Sequence, residues 1–305
     1  MDLGQAMWEV NFSQRTFIGT QVLPIFSTPK RAANFSRITK ESISRKRNVK
    51  RAARSAYSRD EFEAKDQGYS CKERGHEQPL DDGERELYAS DFAAEQAASR
   101  IAMQVVLQEQ ERDIAATVFN PSLFTGSSYN DVSGTPWATA STDIIGQIKT
   151  SAKSVRLNCA NAANALIISQ SVLDNQIGNN TAIASKLQYT QVPTQDAIIK
   201  ALGGLFNLKH IIVGNVVDNT ANEGQAFLGG DMWGTSYAMV ARICETNDLT
   251  EPGLGRTMLW SADSAENALV EEYREEQTRS WIYRCRHHVD EVIFDIAFGQ
   301  LLKIN

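Results

Sequence analysis

Several groups of residues in this chain have types and spacings that chemistry could use. Gly234-Thr235-Ser236-Tyr237-Ala238 has the outline of a degenerate nucleophile elbow. An elbow needs a strand before the serine and a helix after it, so that the hydroxyl stands exposed on a sharp turn. Here a glycine-rich loop precedes Ser236, and Ala238-Met239-Val240 reads as strand. The base would have to be His287 or His288, which lie inside an alternating run. That run also suggests a metal, because Cys285 and His287 fall on one face of a strand with His288 and Glu291 nearby. A closed zinc site takes about four ligands. Two on one face with no second cluster favour a packed, hydrogen-bonded histidine. Gly224-Gln225-Ala226-Phe227-Leu228-Gly229-Gly230 is followed by no Lys-Ser or Lys-Thr and opens no helix, so it is a loop and not a phosphate cradle. Glu271-Glu272 and Glu275-Glu276 sit in a charged run, which is most simply a solvated face. The sequence assigns no catalytic residue, no metal ligand and no cofactor, and the expectation is a protein that is not an enzyme.

The strongest chemical signal is basic. Residues 30 to 59 hold eleven Lys or Arg and a single acid, Glu41, a local net of +10; a chain total of −6 leaves −16 for the rest. Like charges at this density repel one another and call for a partner. Nucleic acid is one, through phosphates. Only Phe35 and Tyr57 interleave as aromatics, which argues against base stacking. The other partner is the acidic surface of a neighbouring copy, which the chain's own composition supplies. On this reading Arg45, Lys46, Arg47, Lys50, Arg51 and Arg54 are the intersubunit contact residues.

The elements that must position these residues follow from patterning. With 305 residues, 42% hydrophobic and 22% charged, the composition is globular. No apolar run approaches the roughly eighteen residues of a membrane span, and the opening residues do not read as a secretory signal. Cys71, Cys159, Cys244 and Cys285 are scattered and read as free thiols in a reducing cytosol. Glu84 to Phe119 contains no Gly or Pro and reads as one helix, about 54 Å long at 1.5 Å per residue. Leu87, Ala94, Ala98, Ile101 and Val105 form its expected apolar stripe, and the last three turns look more exposed. Residues 1 to 29 have irregular apolar spacing and Pro24 and Pro29, as in an arm that lies on something else. Residues 30 to 81 read as a long extended loop or hairpin. Ser141 or Thr142 caps a helix with Ile144, Ile145, Ile148, Ala152 and Val155 on its apolar face. Strands and short helices then alternate to Trp260, with a helix from Gln195 to Leu202 ended by Gly203-Gly204. From Arg279 a period of two places Trp281, Tyr283, Cys285, His287 and Val289 on one face. With Asp290-Glu291 as an interruption, this predicts a long hairpin packed on the long helix.

The order of arm, charged loop, long helix, α/β region and returning hairpin resembles the major capsid proteins of tailed double-stranded DNA phages, the Hong Kong 97-type fold. The likeness covers nearly the whole chain. It rests on Trp137 with the Ile144–Ile148 helix, on Asn164 to Ser169 with Val172-Leu173, and on Asp196 to Leu205 followed by Leu208 to Gly214. Gly255 to Trp260 and the alternation from Ser280 to Phe298 complete it. The resemblance implies an α+β fold with an arm (1–29), an extended basic loop (30–81) lying over a neighbour, a peripheral domain with a spine helix (82–139 and 263–305) and an axial domain (140–262). It further implies hexamers and pentamers in an icosahedral shell around double-stranded DNA, assembled in the host cytoplasm with scaffolding and portal proteins and a decoration protein, and no membrane. Some members carry an N-terminal scaffolding domain; here the arm begins too early to expect one. Two alternatives stay open: an encapsulin shell, which has the same fold and encloses an enzyme, and an α/β hydrolase using Ser236.

Overall fold

The computed structural model describes residues 17–51, 53–61, 63–88, 94–187, 194–222, 224–263 and 267–305. Residues 1–16 of the expected arm lie outside the described residues. From Phe17 the chain forms one helical turn, α1 (Gly19–Val22), and a strand, β1 (Ile25–Thr28). Phe17, Ile18, Val22 and Leu23 are buried, so a segment without helical or strand periodicity gains its core entirely from other elements. β2 (Ala32–Ile38) leads into α2 (Lys40–Ser44), where the Thr39 side chain accepts from the Ser42 amide as an N-cap. β3 (Ala64–Ser70) returns antiparallel along β2, from Ile38 opposite Ala64 to Ala32 opposite Ser70. β4 (Lys72–Asp81) follows after one residue.

α3 (Asp82–Tyr88) and α4 (Ala94–Val118) occupy the long helix expected from Glu84 to Phe119, and residues 89–93 between them lie outside the described residues. The expected stripe is only partly right. Ala94 and Ala98 are buried, but Leu87 is 66% and Val105 39% exposed, and Ile101 is half-buried. The buried face steps by four from Ala94 through Ala98, Ala102 and Val106 to Gln110 and Ile114. The last turns, expected to be exposed, are the best enclosed, with Glu111, Ala115 and Val118 also buried. Small alanines give a weak hydrophobic signal, and a buried Gln or Glu reads as solvent-facing until its partners are known.

Past β5 (Tyr129–Asp131), α5 (Ile144–Cys159) is capped by Asp143, not by Ser141 or Thr142; its carboxylate accepts from the Gly146 amide at 2.9 Å. β6 (Ala165–Ser169) is wholly buried and runs into α6 (Gln170–Val172) and α7 (Thr181–Leu187). α8 (Gln195–Phe206) is capped by Thr194 as expected but continues past Gly203-Gly204 to Asn207, which takes the left-handed φ of 59°. Gly203 is inside because a Cβ there would stand 3.0 Å from the Leu208 carbonyl. β7 (His210–Gly214), β8 (Val217–Asn219), β9 (Gly229–Asp231), β10 (Tyr237–Ala241), β11 (Gly255–Trp260), β12 (Leu269–Glu275), β13 (Ser280–Ile293) and β14 (Gly299–Lys303) complete the chain.

Two five-stranded sheets organise the α+β fold. In the first, β1, β11, β13 and β12 lie in that order and β4 pairs along the other side of β13. In the second the order is β5, β14, β10, β6, β7. The expected hairpin within 279–298 is corrected: β13 is a single strand of fourteen residues, and its hairpin partner is β12, across the turn at Arg279 with φ 52°. Asp290-Glu291 do not interrupt it because both carboxylates are used. Asp290 accepts from the Ser70 amide at 2.8 Å, and Glu291 takes both ends of the Arg74 guanidinium at 2.9 Å. The expected face does meet the helix: Tyr283, with Leu80, packs on Ala94 and Ala98, and Cys285 on Ala102 and Val106.

Candidate assembly surface

The β2–β3 hairpin carries the basic stretch, and its root is fixed to the end of β13. Gln67 Nε2 donates to the Ile293 carbonyl at 2.7 Å, and the Arg37 guanidinium reaches the Phe294 carbonyl and, at 3.5 Å, Asp295. Phe35 meets Phe294 edge-on at 5.3 Å. The Tyr69 hydroxyl bonds Thr28 Oγ1 at 2.7 Å.

At the tip the six expected contact residues divide. Arg45 lies 3.8 Å from Asp60 and 3.6 Å from Glu63, and Arg47 bonds Asp60 directly. The Arg47 guanidinium holds the Asp60 carboxyl below its usual range. Arg51 covers the Tyr57 ring at 4.6 Å and donates to the Ser55 carbonyl. Lys46, Lys50 and Arg54 are exposed and meet no carboxylate among the described residues. Part of the positive charge is therefore answered inside the loop, by acids just beyond residue 59. The same tip exposes large apolar side chains: Ile43 at 67%, Val49 at 78% and Tyr57 at 73%. Of these, Tyr57 was noted from the sequence only as one of two scarce aromatics, and Ile43 and Val49 were not singled out, because isolated hydrophobics in a polar run carry no period.

The other candidate chemistries are not assembled. Ser236 immediately precedes the strand β10 in the second sheet, so no helix follows it, while His287 and His288 belong to β13 in the first. Burial pushes the Cys285 thiol up to about 11, away from the thiolate a metal would need. His287 is fully buried, its Nδ1 donating to the Asn267 carbonyl at 2.8 Å. His288 instead pairs with Asp263 at 3.1 Å and meets Trp260 edge-on. No group of three or more metal-binding side chains occurs among the described residues, and no helix among them is long and apolar enough to cross a membrane.

Burial pulls the His287 pKa down to about 4. An unfolded histidine titrates near 6.5, so the unfolded chain binds a proton first as the pH falls. The stability due to neutral His287 is full above about pH 6.5 and is lost progressively towards pH 4, roughly 3 kcal/mol in all. Urea melts of wild type and His287→Gln at pH 7.5 and 4.5 check this. The wild type should lose more stability than the variant, and an equal loss would remove His287 as the cause.

The geometry comprises a 25-residue helix laid on a sheet, a basic hairpin rooted at the end of that sheet, and a second mixed sheet beyond. No family model matches the sequence, and no curated protein matches it. Solved structures do. A phage-related protein from Bordetella bronchiseptica RB50 superposes with a TM-score of 0.70 at 17% identity, over 96% of this chain and 93% of that one. The capsid of cyanophage P-SCSP1u does so with a TM-score of 0.64 at 9% identity, over 99% and 91%. The chain has the Hong Kong 97-type capsid fold. The holo-SrpI encapsulin complex from Synechococcus elongatus PCC 7942 aligns with a TM-score of 0.54 at 7% identity, over 99% of this chain and 92% of that one.

Proposed function

We propose that this chain is the major capsid protein of a tailed double-stranded DNA phage, assembling as hexamers and pentamers into an icosahedral shell. One observation carries the reading: the extended loop presents Ile43, Val49 and Tyr57, all largely exposed, beside the exposed Lys46, Lys50 and Arg54. A surface that is both apolar and cationic fits burial against a partner, and a shell supplies one in every neighbouring copy. The arm is 1–29, the loop 30–81, the peripheral domain 82–139 with 263–305, and the axial domain 140–262. The protein is not an enzyme and works in the virion capsid, after assembly in the host cytoplasm. Scaffolding and portal proteins, a decoration protein and packaged DNA are the partners this role calls for.

Electron microscopy of the purified protein tests the reading. Closed shells or capsomers are expected, and a population of small monomeric particles at assembling concentrations would overturn it. Shells that hold an enzyme and no DNA in the native host would favour the encapsulin alternative, whose fold this chain shares.

The loop carries its own prediction. Reversing Arg45, Lys46, Arg47, Lys50, Arg51 and Arg54 should abolish assembly of empty particles while leaving the unassembled chain folded. Each exposed ion pair contributes only about 0–1 kcal/mol, but the contact recurs at every subunit. Added salt should weaken empty-particle assembly in the wild type, because exposed charges are screened beyond roughly 10 Å at 0.1 M. Normal empty shells from the reversed variant would remove the intersubunit role of these side chains.

A further inference from the structure

A second cationic surface lies on α5, outside the extended loop. Its buried face is Ile144, Ile145, Ile148, Ser151, Val155 and Cys159. Lys149, Lys153 and Arg156, spaced i, i+4, i+7, occupy the opposite face, and all three are exposed. From Ile144 to Cys159 the helix contains no Asp or Glu. None of the three cations is within ion-pairing distance of a carboxylate among the described residues. Arg74, Arg112, Arg274, Arg284 and Arg286, by contrast, all hold acids. Like charges four apart work against a helix, so this stripe is kept against a local cost in a chain whose net charge is −6.

We infer that the Lys149–Lys153–Arg156 stripe is a contact surface for the phosphate backbone of duplex DNA, an inference that rests on the reading of the chain as a DNA-enclosing shell protein. The stripe spans about 10 Å at 1.5 Å per residue. Over that distance a duplex presents about six phosphate charges, one per roughly 1.7 Å. Beside the stripe the lining of an open groove of about 600 Å³ includes the hydroxyl-bearing residues Thr139, Ser141 and Thr150. Neutral donors of this kind bond phosphate oxygens without reading sequence. The one carboxylate of the groove, Asp143, is occupied at the helix N-terminus by the Gly146 amide and stands a turn and a half before Lys149. The surface offers no aromatic for stacking, which suits a duplex and not a single strand.

The test is a salt titration of the unassembled full-length chain binding a fluorescent 20-base-pair duplex, from 50 to 200 mM salt. Each phosphate-contacting cation removed should lower the magnitude of the log–log salt slope by about one. Lys149→Gln/Lys153→Gln/Arg156→Gln should therefore bind more weakly at 50 mM and lose about three from the slope. Lys46→Gln/Lys50→Gln/Arg54→Gln should keep the wild-type slope. The single Lys153→Gln variant, with an expected loss of about one, stands in if the triple variant fails to fold. An unchanged slope in the α5 variants, or no binding by the wild type at 50 mM, would overturn the inference. So would unchanged DNA binding with failed shell closure, which would make the stripe a contact between copies. Microscopy of the same preparations keeps the two readings apart: shells that form normally while the slope does not move sink the DNA contact and leave the capsid function standing.

Discussion

Glu111→Ala should destabilise the folded chain by about 3–5 kcal/mol, the scale for breaking a buried charged network. The Glu111 side chain is buried, with no cation among the described residues in ion-pairing distance of it. It is held instead by three N–H groups from distant parts of the chain: the Ile18 amide at 3.0 Å, the Gly19 amide at 2.7 Å and Trp233 Nε1 at 2.6 Å. Alanine would leave all three donors buried and unpaired, at about 1–3 kcal/mol each before relaxation. The approach is so close that a Cβ on Gly19 would stand 2.5 Å from the carboxylate, so Gly19→Ala should fail in the same direction. Burial raises the Glu111 pKa, against the pull of its three donors. For a carboxyl raised in the folded state, its contribution is full below the unfolded pKa and is lost as pH rises through the folded one. Glu111→Gln should remove that part of the pH dependence while costing less than alanine at neutral pH. Urea melts at pH 5 and 7.5 measure both effects, and a wild-type-like melt for Glu111→Ala would show that the donors find other acceptors.

Arg74→Ala should cost a comparable 3–5 kcal/mol. Arg74 on β4 joins three elements, holding Glu291 on β13 bidentately and Asp113 on α4 at 2.9 Å. The Glu291 side chain is only 7% exposed, and burial pushes its pKa up while Arg74 opposes the shift. Removing the guanidinium strands that charge. Adding Glu291→Gln should return most of the loss, with a coupling of about 0.5–3 kcal/mol in a double-mutant cycle. Additive losses would place the damage in packing and not in the ion pair.

These two centres mark where sequence reading stopped. The order of elements, the Thr194 cap, the alternation of Trp281, Tyr283 and Cys285, and the burial of Ile144, Ile148 and Val155 were all legible, because each depends on local period or local capping. Glu111 and Gln110 were placed among solvent residues, since only tertiary partners such as Trp233 and Asn267 make their burial tolerable. Gly203-Gly204 looked like a helix stop for the same reason: the close approach of Leu208 is a contact of the folded chain. Asp290-Glu291 looked like a break in a strand because their partners, Ser70 and Arg74, lie more than two hundred residues away. For the basic loop the composition was legible, but its division into self-paired Arg45 and Arg47 and uncommitted Lys46, Lys50 and Arg54 was not.

The place of β14 sets a clock on folding. It lies between β10 and β5 in the middle of the second sheet and is buried over Gly299 to Leu302. On the ribosome β6, β7 and β10 are complete about sixty residues before β14 is made. At roughly 5–20 residues per second, β10 waits about 3–12 s with a bare hydrogen-bonding edge lined by Ala238, Met239 and Val240. Such an edge invites pairing with another nascent chain. Yield in a heterologous host should therefore respond to temperature and translation rate, and to chaperones that shield an open sheet, before any shell contact comes into play.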